Sequence, residues 1–259
     1  MSRLEPILDQ KRATIAKRAA RATAQPIARR ADQCRSLREA IQPPGGPHLI
    51  AELKRRTPTI PVLREPFEPV RLAQEYAAAG ASAISIVIDE PFFDGRIEWI
   101  QQVRDAVALP VLAKDFVLDP CQVDDAALAG ADALLLIADI VPETLLTALI
   151  ERCIHVGLEP LVEIHTEASL ERAIRSGAPL IGINNRDLQD FTVDRSTALR
   201  LAPRVPRDIP VVAESGISAR EEIIRLGAAG VHAVLIGEAL LKSPDIVSKI
   251  NELLGRSRP

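Results

Sequence analysis

The stretch PVLAKDFVLDPCQVDDAALAGADALLLIAD, residues 110–139, contains two apolar runs separated by a segment of helical period. The outer runs, PVLAKDF and ADALLLIAD, are short and almost continuously apolar, as strands buried on both faces are. The segment between them is Ala-rich and amphipathic, and it finishes on Gly130, as a helix C-cap requires. We therefore predict a strand, a helix and a second strand, which is the repeating unit of a parallel sheet.

The same alternation continues along the chain from residue 48. The apolar runs are HLIAELK (48–54), ASAISIVI (81–88), PVLAKDF (110–116), ADALLLIAD (131–139), EPLVEIH (159–165), LIGINN (180–185), IPVVAES (209–215) and HAVLIGEA (232–239). Eight strand and helix units favour a closed (β/α)8 TIM barrel over an open sheet. A doubly wound open sheet is the alternative, but no G-x-G-x-x-G phosphate signature follows the first run.

Residues 1–47 precede the first predicted strand and contain helical patterns around residues 3–23 and 27–41, broken by Pro26. About 45 residues would bury too little apolar surface to fold alone, so we predict an N-terminal helical extension that lies over the barrel. Residues 1–259 are then expected to form a single domain. Basic residues interleaved with alanines at the start of the chain indicate a solvated helix face rather than a polyanion site.

Composition and charge argue against several classes of function. A net charge of −3 gives no support for nucleic acid or an anionic membrane as the main partner. No apolar run reaches the roughly 18 residues that a membrane span needs. Cys34, Cys121 and Cys153 are far apart and lack metal-ligand spacing, so we expect a reduced, cytoplasmic protein without a metal site.

Polar side chains concentrate at the carboxyl ends of the predicted strands, where the active site of such a barrel lies. They are Glu52 and Lys54, Lys114 and Asp115, Asp139, Glu163 and His165, Asn184 and Asn185, and Glu214 and Ser215. One such residue usually marks only the place where a strand leaves the core. Six strands are harder to explain in that way, because an inward charge costs desolvation unless it is paired or used.

The first run shows how these charges are oriented. Side chains alternate along a strand, so Glu52 and Lys54 should point in the same direction as Ile50. We expect Glu52, Lys54, Lys114, Glu163 and Glu214 to pair at the barrel mouth and to shift one another's pKa values.

The last two strands indicate a phosphate site. The segments ESGIS and IGEAL each place a glycine, Gly216 or Gly237, between a strand end and a predicted helix. Backbone N–H groups at such positions can approach an anion closely, and barrels often bind phosphate with these two loops. A single glycine would indicate only a tight turn, whereas the pair predicts a phosphorylated substrate.

Taken together, these stretches resemble the indole-3-glycerol phosphate synthase family over essentially residues 1–259. The motifs that carry the resemblance are LIAELKRRTPT, DEPFFDG, VLAKDFVLDP, ADALLLIA, LVEIHTEASLERA, IGINNRDLQDFTVD, VVAESGIS and AVLIGEALLKSPD. The resemblance implies a (β/α)8 barrel with an N-terminal helical extension. It also implies conversion of 1-(2-carboxyphenylamino)-1-deoxyribulose 5-phosphate to indole-3-glycerol phosphate, CO2 and water, with no metal or organic cofactor.

The resemblance further implies roles for individual residues. Lys114 corresponds to the family's general acid and Glu163 to its partner acid or base. The other catalytic positions are Glu52, Lys54, Asn184, Glu214 and Ser215. The substrate and phosphate positions are Arg56, Arg186, Gly216, Gly237 and Glu238, the last through its backbone N–H. Residues that would wall the aromatic part of the substrate, or else belong only to the core, are Phe93, Phe116, Leu135, Leu188 and Ile236.

The loop after the first strand departs from the family pattern. The family usually has Ser-Pro-Ser followed shortly by Gly, whereas this chain has Thr57, Pro58, Thr59, Ile60 and Pro61. Hydroxyl groups are kept, but two prolines predict a stiffer loop.

Two other functions are kept as alternatives. An isomerase of the phosphoribosylanthranilate isomerase type would be expected to use a Cys and Asp pair, and no Cys stands at a predicted strand end. A non-catalytic paralogue that only binds phosphate ligands or a pathway partner is disfavoured by the presence of Lys114 and Glu163. The expected partner is a phosphorylated small molecule, and a monomer is the expected oligomeric state.

Overall fold

The computed structural model describes residues 3–19, 34–42 and 44–256. Within them, eight parallel strands pair in chain order and the eighth pairs with the first, so the sheet closes into a barrel. The strands are β1 (His48–Leu53), β2 (Ala83–Val87), β3 (Val111–Lys114), β4 (Ala133–Ile137), β5 (Glu159–Ile164), β6 (Leu180–Asn184), β7 (Val211–Glu214) and β8 (Ala233–Ile236). The predicted (β/α)8 barrel is confirmed, and each strand lies within its predicted run.

Helices follow the strands and cover the outside of the barrel. In chain order the described helices are α1 (Glu5–Ala19), α2 (Leu37–Ala40), α3 (Pro69–Ala78), α4 (Glu90–Phe93), α5 (Glu98–Ala106), α6 (Pro120–Leu128), α7 (Glu143–His155), α8 (Glu167–Arg175), α9 (Ser196–Leu201), α10 (Arg220–Ala228), α11 (Glu238–Leu241) and α12 (Ile246–Leu254). Gly130 and Gly157, which follow α6 and α7, have φ values of 93° and 79°, so the predicted glycine C-caps are confirmed there. None of these helices is long and apolar enough to cross a membrane.

The barrel interior is a packed apolar core below a charged mouth. Ile50, Leu112, Leu161 and Val212 point inward and are completely buried. The alternate residues of each strand, such as Leu49 and Ala51, pack outward in the layer beneath the helices. Because the described interior of the barrel is filled in this way, a ligand can be accommodated above the inner side chains, at the strand ends.

The first part of the N-terminal extension covers the mouth of the barrel. Leu4, Ile7 and Leu8, at and near the start of α1, are buried and belong to the same apolar cluster as the barrel interior. Lys11 on α1 forms ion pairs with two carboxylates that follow β2 and β3, and this fixes α1 at the carboxyl end of the sheet. The helix predicted around residues 3–23 is confirmed over Glu5–Ala19, and residues 20–23 lie outside the described residues.

The second part of the extension closes the opposite end. Leu37 and Ile41 are buried in the inner cluster, and Ser36 Oγ donates to Glu159 at the start of β5. The helix predicted around residues 27–41 is wrong for residues 34–36, because Ser36 is the N-cap and only Leu37–Ala40 is helical. Residues 27–33 lie outside the described residues.

Candidate active site

A cavity of about 650 Å³ opens at the carboxyl ends of the strands. The sequence-predicted residues that line it are Glu52, Lys54, Phe93, Lys114, Phe116, Leu135, Glu163, Asn184, Arg186, Leu188, Ser215, Gly216, Ile236, Gly237 and Glu238. Two predicted residues do not line it. Glu214 is completely buried next to Lys114, and the guanidinium of Arg56 donates to the carbonyl oxygen of Pro91 at 2.6 Å.

Lys114 ends β3, and its ammonium group lies among three carboxylates. Its Nζ is 2.5 Å from Oε2 of Glu214, 3.6 Å from Oε1 of Glu52 and 3.9 Å from Oε2 of Glu163. Burial alone would lower the pKa of Lys114, but the three carboxylates raise it above its usual value. The ammonium therefore stays charged at neutral pH and has a proton to donate.

Glu52 and Lys54 point in the same direction from β1, as the strand period predicts. Lys54 Nζ forms an ion pair with Oε2 of Glu52, whose side chain is nearly inaccessible to solvent. Burial would raise the pKa of Glu52, but the ammonium groups of Lys54 and Lys114 lower it below its usual value. With these contacts, the predicted pairing of the five charged residues at the mouth is confirmed.

Glu214 is the most deeply placed of these carboxylates, and a glycine on the next strand makes room for it. A Cβ atom added to Gly182 on β6 would lie 2.6 Å from Oε1 of Glu214. Burial raises the pKa of Glu214 well above that of an ordinary carboxyl group, although the Lys114 ammonium opposes the shift. The sequence analysis did not single out Gly182, because the side chain that requires a glycine there, Glu214, lies on a neighbouring strand.

Glu163 lies on β5, across the barrel from β1. Burial would raise the pKa of Glu163, but the His165 imidazole at 3.3 Å, the Lys114 ammonium and the Asn184 amide lower it below its usual value. Asn184 also accepts from the backbone N–H of Arg186 through Oδ1 at 3.0 Å, which fixes the orientation of its amide.

Three charged residues at the mouth were given no role by the sequence. Lys11 Nζ on α1 lies 3.0 Å from Oδ2 of Asp89 and 2.5 Å from Oδ1 of Asp115, and both carboxylates line the cavity. Burial would lower the pKa of Lys11, but these two carboxylates raise it. The sequence already places Asp115 among the polar strand-end residues, and Asp89 directly follows the second predicted run and could have been found in the same way. Nothing local distinguishes Lys11 from the other basic residues of α1.

The segments after β6, β7 and β8 form the rim where phosphate binding was predicted. Ser215 and Gly216 have positive φ values of 64° and 75°, which turns the backbone sharply at the end of β7. Gly237, which follows β8, lies directly beside Glu52 on the neighbouring β1, since an added Cβ would lie 2.3 Å from Oε2 of Glu52. Arg195 and Lys242, which the sequence did not single out, also line the cavity here.

The loop that departs from the family pattern lines the other side of the cavity through residues 57–60. The backbone N–H of Thr57 donates to the carbonyl of Ile60 at 2.9 Å, and the N–H of Ile60 donates to the carbonyl of Thr57 at 3.2 Å. The N–H of Leu63 donates to the carbonyl of Arg55 at 3.1 Å. The loop is therefore held by its own backbone bonds, in addition to its prolines.

None of the described residues forms a group of three or more His, Cys, Asp or Glu side chains arranged to hold a metal ion. The chemistry that this arrangement can perform is proton transfer, because one shared ammonium and several carboxylates of unequal proton affinity face a ligand-sized cavity.

Comparison with known proteins gives consistent matches. A family model described as indole-3-glycerol phosphate synthase matches residues 4–253. A relative of that name from Desulfosudis oleivorans is 47% identical over 210 residues, which cover 81% of this chain and 80% of the relative. Another of that name from Rhodopirellula baltica is 41% identical over 221 residues, which cover 85% of each chain.

One solved structure extends the comparison to a more distant protein. Thiamine phosphate pyrophosphorylase from Pyrococcus furiosus matches with a TM-score of 0.62 at 22% identity, covering 84% of this chain and 96% of that chain. At that level of identity the match shows a shared fold.

Proposed function

The chain belongs to the indole-3-glycerol phosphate synthase family, and we propose how the residues at its barrel mouth carry out the reaction of that family. It is a carboxy-lyase of tryptophan biosynthesis. It closes the indole ring of 1-(2-carboxyphenylamino)-1-deoxyribulose 5-phosphate and releases CO2 and water, so its partner is a phosphorylated small molecule.

Lys114 is the proposed general acid for ring closure. In that step the aryl carbon that bears the carboxyl group attacks the ketone carbon, and the ketone oxygen takes up a proton to become a hydroxyl. The observation that carries this proposal is the Lys114 ammonium in the cavity lining, kept charged by Glu214, Glu52 and Glu163.

Loss of CO2 follows within the substrate itself. The electron pair of the broken carbon–carbon bond moves toward the iminium nitrogen that ring closure has created, and this restores the aromatic ring. The cavity wall suits this step, because Phe93, Phe116 and Leu135 present an apolar surface to the aryl group. Two of these rings, Phe93 and Phe116, lie with centroids 6.2 Å apart.

Dehydration then needs an acid and a base on opposite sides of the ring. The hydroxyl leaves as water after protonation, and a base removes a proton from the adjacent carbon. The Glu52 and Lys54 pair on β1 and Glu163 on β5 are suitable, because the first and fifth strands face each other across an eight-stranded barrel.

Phosphate is proposed to bind at the rim formed by Ser215, Gly216, Gly237 and Glu238, through backbone N–H groups. Arg195 and Lys242 add positive charge next to these segments, and Arg186 also lines the cavity. A phosphate role for Arg56 stays a prediction that this geometry does not support, because its guanidinium binds the Pro91 carbonyl.

The test of this proposal is direct. Incubation with 1-(2-carboxyphenylamino)-1-deoxyribulose 5-phosphate should produce the fluorescence of an indole. Turnover of phosphoribosylanthranilate instead would indicate the isomerase, although none of the three cysteines lies among the described residues that line the cavity. Binding of the substrate without turnover would indicate the non-catalytic paralogue.

Several expectations from the sequence stay proposals. We propose that residues 1–259 form one domain, which the contacts of the extension with both barrel ends support. A cytoplasmic location and a monomeric state are also proposed, as is the absence of nucleic acid from its partners, for which the net charge of −3 is the supporting observation.

A further inference from the structure

Two polar side chains outside the cavity lining connect Glu163 to the protein surface. His165 Nε2 lies 3.3 Å from Oε1 of Glu163, and His165 Nδ1 lies 2.9 Å from Oδ2 of Asp139. Asp139 in turn lies 3.4 Å from the guanidinium of Arg172 on α8. The sequence marks His165 and Asp139 as strand-end residues, and the mechanism proposed above does not use them.

The arrangement determines the protonation state of the imidazole. A neutral imidazole has one nitrogen that can only accept a hydrogen bond, and here that nitrogen would face a carboxylate oxygen whichever tautomer formed. An imidazolium avoids this repulsion because both nitrogens carry a proton. Burial would lower the pKa of His165, but its contacts with Asp139 and Glu163 raise it to about 10.

We propose that His165, held by Asp139, is a positioning residue that fixes the Glu163 carboxylate as an ionised proton acceptor. Proton donation is then left to Lys114 in ring closure and to the Glu52 and Lys54 pair in dehydration. The inference rests on the function proposed above and deepens it, because the family resemblance left Glu163 as either an acid or a base.

The charged and polar groups around Glu163 explain why such a residue is needed. Lys114 on β3 and Asn184 on β6 favour the ionised form of Glu163, whereas burial opposes it. The buried carboxylate of Glu214 on β7 interacts with the same Lys114 and with Glu163 itself. Two buried carboxylates that share one ammonium compete for a proton.

His165 makes the two carboxylates differ in proton affinity. Its ion pairs are with Glu163 and Asp139. A positive charge beside Glu163 lowers the proton affinity of that carboxylate and leaves Glu214 as the one that takes up a proton more readily. Proton acceptance from the substrate is then assigned to Glu163, which lines the cavity, rather than to Glu214, which does not.

The first test reads the imidazole directly and does not depend on activity. The chain has four histidines, so 15N-histidine NMR is simple, and the His165→Gln variant identifies the signal of His165. We expect both ring nitrogens of His165 to show imidazolium shifts at pH 8. A neutral tautomer at pH 8 would overturn the proposal even if the chain were fully active, so this failure is distinct from a failure of the proposed function.

The second test is the pH profile of kcat/KM for His165→Gln. Without the imidazolium, the pKa of Glu163 should rise, so the loss relative to wild type should be at least about tenfold larger at pH 5.5 than at pH 8.5. A merely structural role would give the same relative loss at every pH, and that result, or an unchanged profile, would overturn the proposal.

Asp139→Asn serves as a second variant if His165→Gln does not fold, and the same loss at low pH is expected with a smaller amplitude. Asp124→Asn is the matched control, because Asp124 is 23% exposed and pairs with Arg152, much as Asp139 is 27% exposed and pairs with Arg172. Asp124→Asn removes a similar ion pair on the outer helices and should not change the pH profile of kcat/KM.

Discussion

The two ends of the barrel both bury carboxylates, but they satisfy them in different ways. At the amino end, Asp132 accepts from the backbone N–H of Arg35 at 2.8 Å and from that of Val111 at 3.0 Å. Glu159 accepts from Ser36 Oγ at 2.7 Å and from the N–H of Arg38 at 2.8 Å. Each of these two carboxylates therefore has donors of its own, and backbone donors cannot move away.

At the carboxyl end, the carboxylates of Glu52, Glu163 and Glu214 all lie within 3.9 Å of one ammonium group, that of Lys114. Glu52 also pairs with Lys54, and Glu163 also lies next to His165. Oε1 of Glu214 is buried and accepts no hydrogen bond from the described residues. A carboxylate with a full set of fixed donors stabilises the fold, whereas carboxylates that share one mobile proton donor can exchange protons with a substrate. We therefore regard the carboxylates at the amino end as structural and those around Lys114 at the carboxyl end as functional.

The largest expected effect comes from removing the shared ammonium at the mouth. Lys114→Met should lower kcat by about 10²–10⁴-fold, because a positioned general acid contributes about that much, while substrate binding should weaken much less. Steady-state kinetics by indole fluorescence would measure both. A variant that kept more than half of wild-type kcat would show that Lys114 is not the acid, provided that its circular dichroism matched that of wild type.

Removing a charge at the amino end should have the opposite signature. Asp132→Asn should lower the free energy of unfolding by about 3 kcal/mol, because it breaks the ion pair between the buried Asp132 carboxylate and the Arg104 guanidinium. Its kcat and KM, measured well below the melting temperature, should stay within about twofold of wild type. A large loss of kcat in a folded Asp132→Asn protein would break the proposed division between the two ends.

Two glycines of similar backbone geometry, one at each end of the barrel, allow the functional end to be compared with the structural end. Gly216 at the mouth has φ of 75° and Gly177 at the amino end, after α8, has φ of 81°. Alanine at either position should cause similar backbone strain, because both φ values are positive. At Gly216 the added Cβ would also lie 2.5 Å from Cγ1 of Val193, whereas at Gly177 it would meet no atom within 4 Å. Only Gly216→Ala should weaken competitive inhibition by inorganic phosphate. For Gly216→Ala we expect the inhibition constant of phosphate to be about tenfold larger, which is equivalent to the loss of one hydrogen bond to a charged group.

Equal inhibition constants for Gly216→Ala and Gly177→Ala would count against the phosphate site. Gly237 is a poorer probe of the same site, because an added Cβ would collide with the carboxylate of Glu52. A change at Gly237 would therefore alter a proposed catalytic group together with the anion site.

The fold was predictable from the sequence because its signals are local. Each apolar run and each terminal glycine can be read within a few residues, and the pairing of Glu52 with Lys54 follows from the strand period alone. The site was predictable where strand ends carry charge, which led to Asp115 and would also have led to Asp89.

What the sequence could not reveal depends on residues that are distant in the chain. Lys11 meets Asp89 and Asp115 only after the barrel has closed, and Gly182 is required by the size of Glu214 on the next strand. The division of the extension between the two barrel ends is equally non-local, since α1 and residues 34–42 have similar helical patterns but different neighbours.

The extension offers a smaller test of the comparison. Lys11→Met should raise KM about fivefold, equivalent to ~1 kcal/mol, because α1 would be held less firmly over the mouth, and kcat should change little. Arg12→Met is the matched control, since Arg12 is 56% exposed and pairs with the exposed Asp9. If both variants had the same KM as wild type, the contact of Lys11 would concern stability only, as the contacts at the amino end do.

The smallest expected effect concerns the loop after β1, which lines the mouth through residues 57–60. Pro61 fixes its own φ and restricts Ile60 to extended geometry, so replacing it with glycine should let the loop sample more conformations in the free protein. Ordering one freed residue costs roughly 1 kcal/mol, or about fivefold in KM. The two backbone bonds between Thr57 and Ile60 should limit the change to about threefold, because they keep the loop closed without the proline.

The single-turnover rate at saturating substrate should change even less, since Lys114 and Glu163 stay in place. A Pro61→Gly protein with normal KM but a much slower single turnover would mean that this loop acts on the chemical step, and that the functional charge at the mouth depends on it.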